Sequence, residues 1–309
     1  MFERVYFIMK ITKVDSKSII LHENTKVKLK IAGNIREVQF SAGVNKKCPI
    51  QNISKDKYLD KETGEIKERK KSENRYQTPK SVRKSINKLM DLIRCNATEK
   101  SYCKWLTLTY ADAMTDYTKV YEDGKMFLRR LQRYLDNQTE LSAGQKSFKR
   151  ITVAEPQGEG HGNSWHLHIL LIFENVAPFI SNKEIADLWG HGLTDAHKVY
   201  DADGLALYFK IHLSDVEYVE GDENYNVVEK NVNGVSKQFI KGGRLQYYPT
   251  GMPLFSVSRG MKRPVVEKMS NKEAMDRVND CRLVYRETFL IGDKEKQGNI
   301  IDKRYYKKE

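Results

Sequence analysis

Apolar and polar residues alternate through the first 45 positions of the chain, in the segments VYFIMKITKV, SIILHE, VKLKIAG and REVQFSAG. A period of two places successive side chains on opposite faces of an extended strand, so each segment is typical of a short β-strand. We therefore predict that residues 1–45 form a small β-rich N-terminal extension.

Residues 46–78 contain few large aliphatic side chains and many charges, as in KDKYLDKETGEIKERKKSENRYQ. Such a composition predicts a charged linker, which is either solvated or in contact with DNA. Residues 271–309 are also rich in charge, and we predict that they form a C-terminal tail.

From Pro79 onwards, helical and strand periods follow one another. Apolar residues spaced three and four apart predict helices in SVRKSINKLMDLIRCN, GKMFLRRLQRYLDNQ, NKEIADLWGHG and DADGLALYFKIHLSD. Runs of β-forming residues predict strands in KWLTLTYADA, FKRITVAE, WHLHILLIFE and LTDAHKVY. The Gly, Pro and Asn between the second and third strands favour a hairpin, and the polar residues 216–234 are predicted to be a loop or insertion. This order predicts an α+β domain over residues 79–270, with a central antiparallel sheet flanked by helices.

The net charge of the chain is +13, with 54 Lys and Arg against 41 Asp and Glu. A basic surplus of this size favours a polyanionic partner such as nucleic acid, because bound cations displace condensed counterions. A basic surface without a partner is the alternative interpretation.

The four cysteines include no CxxC pair, which predicts reduced thiols rather than a zinc ribbon or a disulfide framework. The N-terminus has no cleavable leader, and no uncharged run is long enough to span a bilayer. The sequence therefore predicts a soluble cytoplasmic protein with no membrane partner.

His166 and His168 are two residues apart in a predicted strand, so both side chains project from the same face. The preceding strand ends at Glu155, and a hairpin brings that carboxylate beside the two imidazoles. This donor set suits a divalent metal, Mn²⁺ or Mg²⁺. A polar surface patch is the alternative, and iron oxygenases use the same ligand types. His161, between the two strands, is a further candidate ligand ranked behind Glu155.

In their order, these segments resemble the HUH superfamily of rolling-circle replication initiators (Rep endonucleases) of phage and plasmid type. The first motif of that family resembles Trp105 to Tyr110, and the second, His-hydrophobic-His, matches His166-Leu167-His168 with Glu155 upstream. The third carries a tyrosine on a helix that follows a tryptophan-containing helix, and here it resembles Trp189 followed by Tyr208. Two later segments, RLQYYP and SRGMKRP, also resemble such proteins.

The resemblance implies a DNA endonuclease and strand transferase in which Tyr208 attacks the phosphodiester and forms a 5′-phosphotyrosine. The metal ligands that it implies are Glu155, His166 and His168. Many relatives carry a second tyrosine or a lysine one turn after the nucleophile. This chain has His212 there and Lys210 out of register, so a single-tyrosine mechanism is expected, with Lys210 and His212 as candidate catalytic groups.

Basic residues outside the motifs are candidates for contacts with the DNA backbone. They are Arg83, Lys84, Arg129, Arg130, Arg133, Arg259, Lys262 and Arg263. The implied partners are single-stranded DNA, a replication-origin hairpin, and a host helicase and polymerase, since the chain contains no P-loop sequence. The alternative functions are a mobilisation relaxase and a non-catalytic DNA-binding protein on the same scaffold.

Overall fold

The structure, a computed structural model, describes residues 11–14, 19–43, 50–69, 72–157, 163–213, 216–217, 227–232, 235–240, 243–291 and 299–308. The chain divides into two compact units. One unit is Ser72–Arg263, and the other combines Met1–Lys71 with Pro264–Glu309.

The strands of both units are numbered in chain order. They are β1 (Ile11–Val14), β2 (Lys26–Ala32), β3 (Ile35–Ser41), β4 (Ile50–Asn52), β5 (Lys57–Asp60), β6 (Ile66–Glu68), β7 (Cys103–Leu108), β8 (Phe148–Pro156), β9 (Trp165–Phe173), β10 (Thr194–Lys198), β11 (Val216–Glu217), β12 (Val227–Val232), β13 (Val235–Ile240), β14 (Phe255–Val257), β15 (Val265–Ser270), β16 (Cys281–Ile291) and β17 (Asn299–Lys308).

The helices are numbered in the same way. They are α1 (Pro79–Asn96), α2 (Tyr117–Asp136), α3 (Ala143–Lys146), α4 (Asn182–Trp189), α5 (Ala202–His212) and α6 (Asn271–Asp276), with short 3-10 helices at Arg75–Gln77, Lys100–Tyr102 and Gly243–Tyr247. Among these described helices, none combines the length and the apolar character that crossing a bilayer requires.

The unit Ser72–Arg263 is built on a five-stranded antiparallel sheet in the order β10-β7-β9-β8-β14. On one face of the sheet α2 packs against β8 and β9. On the other face Phe209 of α5 lies edge-on to Trp105 of β7, and α1 packs against α5. The predicted fold class, α+β with a central antiparallel sheet flanked by helices, is therefore confirmed.

Helix α2 begins seven residues before its predicted start at Gly124. The side chain of Asp116 accepts hydrogen bonds from the backbone N–H groups of Thr118 and Lys119, which caps the helix there. The helix then continues through Gly124, where an added Cβ would lie 2.8 Å from Leu167 Cδ1. A glycine at this point lets α2 approach β9 closely, so it is a packing residue rather than a helix boundary.

The turn after α4 is attached to the end of β7 by hydrogen bonds. The indole Nε1 of Trp189 donates to the carbonyl of Thr109 at 2.6 Å, and the N–H of Ala111 donates to the carbonyl of His191 at 2.8 Å. Gly192 lies in this turn, and an added Cβ would be 2.5 Å from Ala111 N and 2.6 Å from Thr109 O. The contact is with backbone on both sides, so it leaves no room for a side chain.

We expect Gly192→Ala to lower the free energy of unfolding by about 1–3 kcal/mol, the usual cost of overpacking a rigid contact. Leu193→Ala is the matched control, because Leu193 is next in sequence and 80% exposed. Urea denaturation of both variants measures the difference. Equal midpoints for the two variants would contradict the packing argument.

Residues 216–234, predicted to be a loop or insertion, contribute to a small antiparallel sheet in the order β11-β13-β12. The valines at 227, 228, 232 and 235 have strong β propensity, and they pair across β12 and β13 despite the acidic residues around them. The acidic composition concealed this strand pattern.

The second unit contains a six-stranded antiparallel sheet in the order β1-β16-β17-β3-β2-β15. The predicted N-terminal strands are present as β1, β2 and β3. Residues 271–309 differ from the predicted charged tail, because they form α6, β16 and β17, and β17 pairs with β3. In β16 and β17 basic residues are interspersed with Ile, Leu, Phe and Tyr, so a high charge count coexists with a half-buried strand.

The predicted linker, residues 46–78, also contains regular structure. Strands β4, β5 and β6 form a three-stranded antiparallel sheet, and a 3-10 helix follows at Arg75–Gln77. Lys67 and Asp60 form an ion pair at 2.6 Å on this sheet. Backbone pairing holds these strands together although most of their side chains are exposed.

Candidate functional site

The predicted hairpin of β8 and β9 brings three candidate ligands to one face of the sheet. Glu155 lies directly opposite His166, and Val153 lies opposite His168 in the antiparallel register. Residues directly opposite in such a pair share a face, as do residues two apart in one strand. Glu155, His166 and His168 therefore project together, as predicted.

The imidazole of His168 is buried and held on three sides. Its Nε2 is 2.7 Å from Glu155 Oε2, and its Nδ1 is 3.2 Å from the hydroxyl of Thr107 on β7. The ring stacks on the indole of Trp105, with centroids 5.1 Å apart and an interplanar angle of 13°. These contacts fix the position of the imidazole.

Burial lowers the pKa of His168 to about 4, so its ring is neutral at physiological pH. A carboxylate only accepts hydrogen bonds, so Nε2 carries the hydrogen that bonds Glu155. The other nitrogen, Nδ1, then accepts from the hydroxyl of Thr107. A neutral ring is the form that binds metal ions without first losing its charge-carrying proton.

His166 is less enclosed than His168. Its ring centroid is 6.3 Å from that of His168, and the two rings are tilted by 33°. The side-chain amide of Gln157 lies 3.4 Å from Nδ1 of His166. The pair of histidines therefore combines one fixed, buried imidazole with one that is half-buried.

Glu155 has a second partner that the sequence analysis did not assign to the site. The guanidinium of Arg244, in the 3-10 helix Gly243–Tyr247, forms an ion pair with its carboxylate. The side chains of Arg244 and Glu155 are 11% and 9% exposed, so this pair is almost completely removed from water. Burial lowers the pKa of the guanidinium, and the neighbouring carboxylate compensates its charge.

The segment that carries Arg244 is anchored beneath β8 by Tyr248. The phenol of Tyr248 is fully buried, donates to the carbonyl of Ala154 at 3.2 Å and packs edge-on against Trp165. The sequence analysis recognised RLQYYP as a motif but gave it no role. Its Tyr248 anchor explains how Arg244 reaches Glu155.

Tyr208 lies beside the histidines. Its ring is edge-on to His168 and to Trp105, with centroid distances of 6.2 Å in both cases. The next residue of α5, Phe209, is fully buried, whereas Tyr208 is 36% exposed. Burial raises the pKa of the Tyr208 phenol, so the hydroxyl is protonated at neutral pH. Tyr208 therefore borders the site and is partly open to solvent.

The remaining candidates near the nucleophile are only partly described. The backbones of Lys210 and His212 belong to α5, and their side chains lie outside the described part of the structure. His161 lies outside the described residues altogether. The predicted helix cap is Asp201, whose carboxylate accepts from the N–H groups of Asp203 and Gly204.

The donor chemistry of this site fits a divalent cation in part. Adjacent ligands of an octahedral ion are about 3 Å apart when its bonds are about 2.1 Å long. The 2.7 Å between His168 Nε2 and Glu155 Oε2 is close to that separation. Within the described residues, however, no three His, Cys, Asp or Glu side chains converge as a metal-binding set. Arg244 supplies the positive charge next to Glu155 in this arrangement.

The predicted DNA-binding residues occupy three regions of the unit. Arg83 and Lys84 are exposed on α1, Arg129 and Arg133 are exposed on α2, and Arg259, Lys262 and Arg263 are found after β14. Arg130 differs from the others, because its Nη1 donates to the carbonyls of Leu188 and Trp189. That contact caps the C-terminal end of α4, where a positive charge is favourable.

The fold and the site define a class of protein: an α+β domain whose antiparallel sheet presents two histidines and a glutamate beside a tyrosine-bearing helix. A family model described as a replication-associated protein, of the ORF2 type, matches residues 103–211, which run from β7 to α5. This match supports a role in the initiation of DNA replication. No curated protein and no solved structure matches the chain significantly.

Proposed function

We propose that this protein is an HUH endonuclease that starts rolling-circle replication by nicking one DNA strand with Tyr208. The observation that carries the proposal is the grouping of Tyr208, His166, His168 and Glu155 at one edge of the sheet. The four residues come from β8, β9 and α5, so tertiary structure is needed to bring them together. All four lie within the segment that matches the replication-associated family.

The proposed reaction is a transesterification at one phosphodiester. The phenolic oxygen of Tyr208 attacks phosphorus and forms a 5′-phosphotyrosine, while the bond from phosphorus to the 3′-oxygen breaks. The leaving 3′-oxygen takes up a proton and becomes a 3′-hydroxyl that a polymerase extends. The phenol proton is lost during attack, and the raised pKa of Tyr208 means that this loss needs assistance. Lys210 and His212 remain the candidates for that role.

A divalent cation, Mn²⁺ or Mg²⁺, held by Glu155, His166 and His168, supplies positive charge to the non-bridging oxygens of the scissile phosphate. In this proposal Thr107 orients His168, since its hydroxyl accepts Nδ1–H when Nε2 is a ligand. The stack on Trp105 fixes the same ring. Glu155 exchanges its ion pair with Arg244 for the cation.

The remaining parts of the proposal concern partners. Single-stranded DNA and an origin hairpin are the substrates, and the basic residues on α1, on α2 and after β14 contact the phosphate backbone. A host helicase and polymerase act on the nicked strand in the bacterial cytoplasm. The assignment to a phage or plasmid type rests on the motif order in the sequence.

The experiment that tests this function is incubation with a labelled single-stranded oligonucleotide library, with Mn²⁺ or with EDTA. We expect cleaved strands and a covalent protein–DNA band on a denaturing gel, in the Mn²⁺ reactions only. Cleavage without a covalent band would exclude a tyrosine nucleophile, and binding without cleavage would exclude the endonuclease.

Arg244 gives a separate prediction for metal binding. We expect Arg244→Gln to tighten Mn²⁺ binding by about tenfold or more, because Glu155 no longer has to leave a buried ion pair. Isothermal titration of the protein without DNA measures the affinity. Arg259→Gln is the control, since Arg259 is exposed. Unchanged or weaker Mn²⁺ binding in Arg244→Gln would contradict competition for Glu155.

One observation favours a second candidate function, a non-catalytic DNA-binding protein on the same scaffold. The ion pair of Glu155 with Arg244, together with the lack of a converging set of three ligands in the described residues, suits a site that holds its charges internally. Under this alternative, Mn²⁺ binds no more tightly to the wild type than to a His166→Ala variant.

A further inference from the structure

The two faces of the six-stranded sheet differ in character. One face is apolar: Val27, Leu29, Val38 and Met269 form a cluster with Ala274 and Val278 at and just beyond α6. Among the described residues, α6 is the one helix of this unit, and it packs against β2 and β15. On the opposite face, here called the tyrosine face, the described part of this unit places no helix.

The tyrosine face is strongly basic. Strand register places eight basic and two acidic side chains on it: Lys13, Lys26, Lys28, Lys30, Lys268, Arg282, Lys303 and Lys307, with Glu37 and Glu287. Lys30 pairs with Glu37 at 2.6 Å and Lys303 lies 3.9 Å from Glu287, so the two carboxylates offset only part of the positive charge. A surface with this surplus attracts a polyanion.

Two tyrosines lie in the middle of this basic surface, on the neighbouring strands β16 and β17. The rings of Tyr285 and Tyr305 have centroids 5.8 Å apart, and both hydroxyls donate to Glu287 at 3.4 Å. Lys13 Nζ lies 5.7 Å from the centroid of the Tyr285 ring. Tyr285 is 48% exposed, so its ring offers a large surface to a ligand.

Aromatic rings fixed on a basic sheet are the arrangement with which proteins bind single-stranded nucleic acid. Unpaired bases stack on the rings, and lysines track the phosphates. Base pairs in a duplex do not expose these stacking surfaces, so a duplex is a poorer fit. Glu287 holds both phenols by their hydroxyls, which fixes the rings and leaves the exposed ring of Tyr285 for stacking.

We propose that the tyrosine face binds single-stranded DNA, with bases stacked on Tyr285 and Tyr305 and phosphates contacted by Lys28, Lys268 and Lys303. The match to a replication-associated family favours DNA over RNA as the strand that is bound. Ala32 and Ile35, at the hairpin end of the same face, are buried and do not belong to the proposed surface. The proposal does not depend on nicking by Tyr208.

The test compares the affinities of full-length variants for fluorescein-labelled oligo(dT) by anisotropy. We expect the double variant Tyr285→Ala/Tyr305→Ala to bind about tenfold more weakly or worse, as expected for the loss of base stacking. Tyr285→Phe keeps the ring and should bind like the wild type. Leu283→Ala is the matched control on the same strand, because Leu283 pairs with Tyr306 on the opposite face and is 50% exposed.

Salt dependence tests the lysines independently. Each phosphate contact on a single strand contributes about 0.7 to the slope of log affinity against log salt. Lys28→Gln/Lys303→Gln should therefore reduce the slope by about 1.4. Circular dichroism of each variant verifies that the sheet is intact.

Three outcomes would overturn the proposal: unchanged affinity in the double tyrosine variant, an equal loss in Leu283→Ala, or tighter binding of oligo(U) than of oligo(dT). The rate of adduct formation at saturating DNA separates the two functions. The double tyrosine variant should keep that rate, whereas a failure of the wild type to form adducts would count against the endonuclease and leave the binding result standing.

Discussion

Tyr208→Phe should abolish strand cleavage and the covalent protein–DNA adduct, while the affinity for single-stranded DNA stays within about twofold. The substitution removes one hydroxyl and keeps the ring that lies edge-on to His168 and Trp105, so packing is retained. Without the nucleophilic oxygen no phosphotyrosine forms, and the expected loss of rate is on the order of 1,000-fold or more. Denaturing gels measure the adduct, and anisotropy measures binding.

Tyr200→Phe is the matched control for this experiment. Tyr200 precedes α5 by two residues and is 77% exposed, so it is accessible to DNA without belonging to the site. The control variant should form adducts at the wild-type rate. If Tyr208→Phe still forms the adduct, Tyr208 is not the nucleophile.

His166→Ala should reduce metal-dependent cleavage by about 100-fold or more, since residues that only orient a metal ligand already contribute about 10–100-fold. His166 is the better test of the two histidines because it is half-buried. His168 is enclosed by Trp105, Thr107 and Glu155, so its removal would also disturb the fold. Mn²⁺ affinity and cleavage should fall together in His166→Ala.

The control for the histidine experiment is His197→Ala on β10. The side chain of His197 is 59% exposed and bonds Asp195, away from the paired histidines of β9. Mn²⁺ binding and cleavage should both be unchanged in this control. If His166→Ala retained wild-type cleavage with Mn²⁺, the metal assignment would have to be abandoned.

Local patterns were sufficient to predict the central part of the fold. The period of two in β8 and β9, with turn-forming residues between them, predicted the hairpin, and the hairpin fixes Glu155 opposite His166. The helical period of α5 predicted that Tyr208 lies on a helix after β10. These features depend on neighbours in sequence, so the sequence alone contains them.

Features that depend on distant segments were missed. Nothing local in RLQYYP indicates that Arg244 reaches Glu155, because the contact depends on how Tyr248 packs beneath β8. The pairing of β17 with β3 joins residues more than two hundred positions apart, and the charge of β17 resembled that of a tail. A search for alternating positions within charged segments would have indicated β16 and β17.

The most direct test of the central claim is to map the covalent adduct by peptide mass spectrometry after the Mn²⁺ reaction. Cleavage after Lys198 and Lys210 releases residues 199–210, which contain both Tyr200 and Tyr208. Tyr200→Phe protein leaves Tyr208 as the one tyrosine of that peptide. The account predicts a nucleotide attached to this peptide through Tyr208, and a modified tyrosine elsewhere in the chain would contradict it.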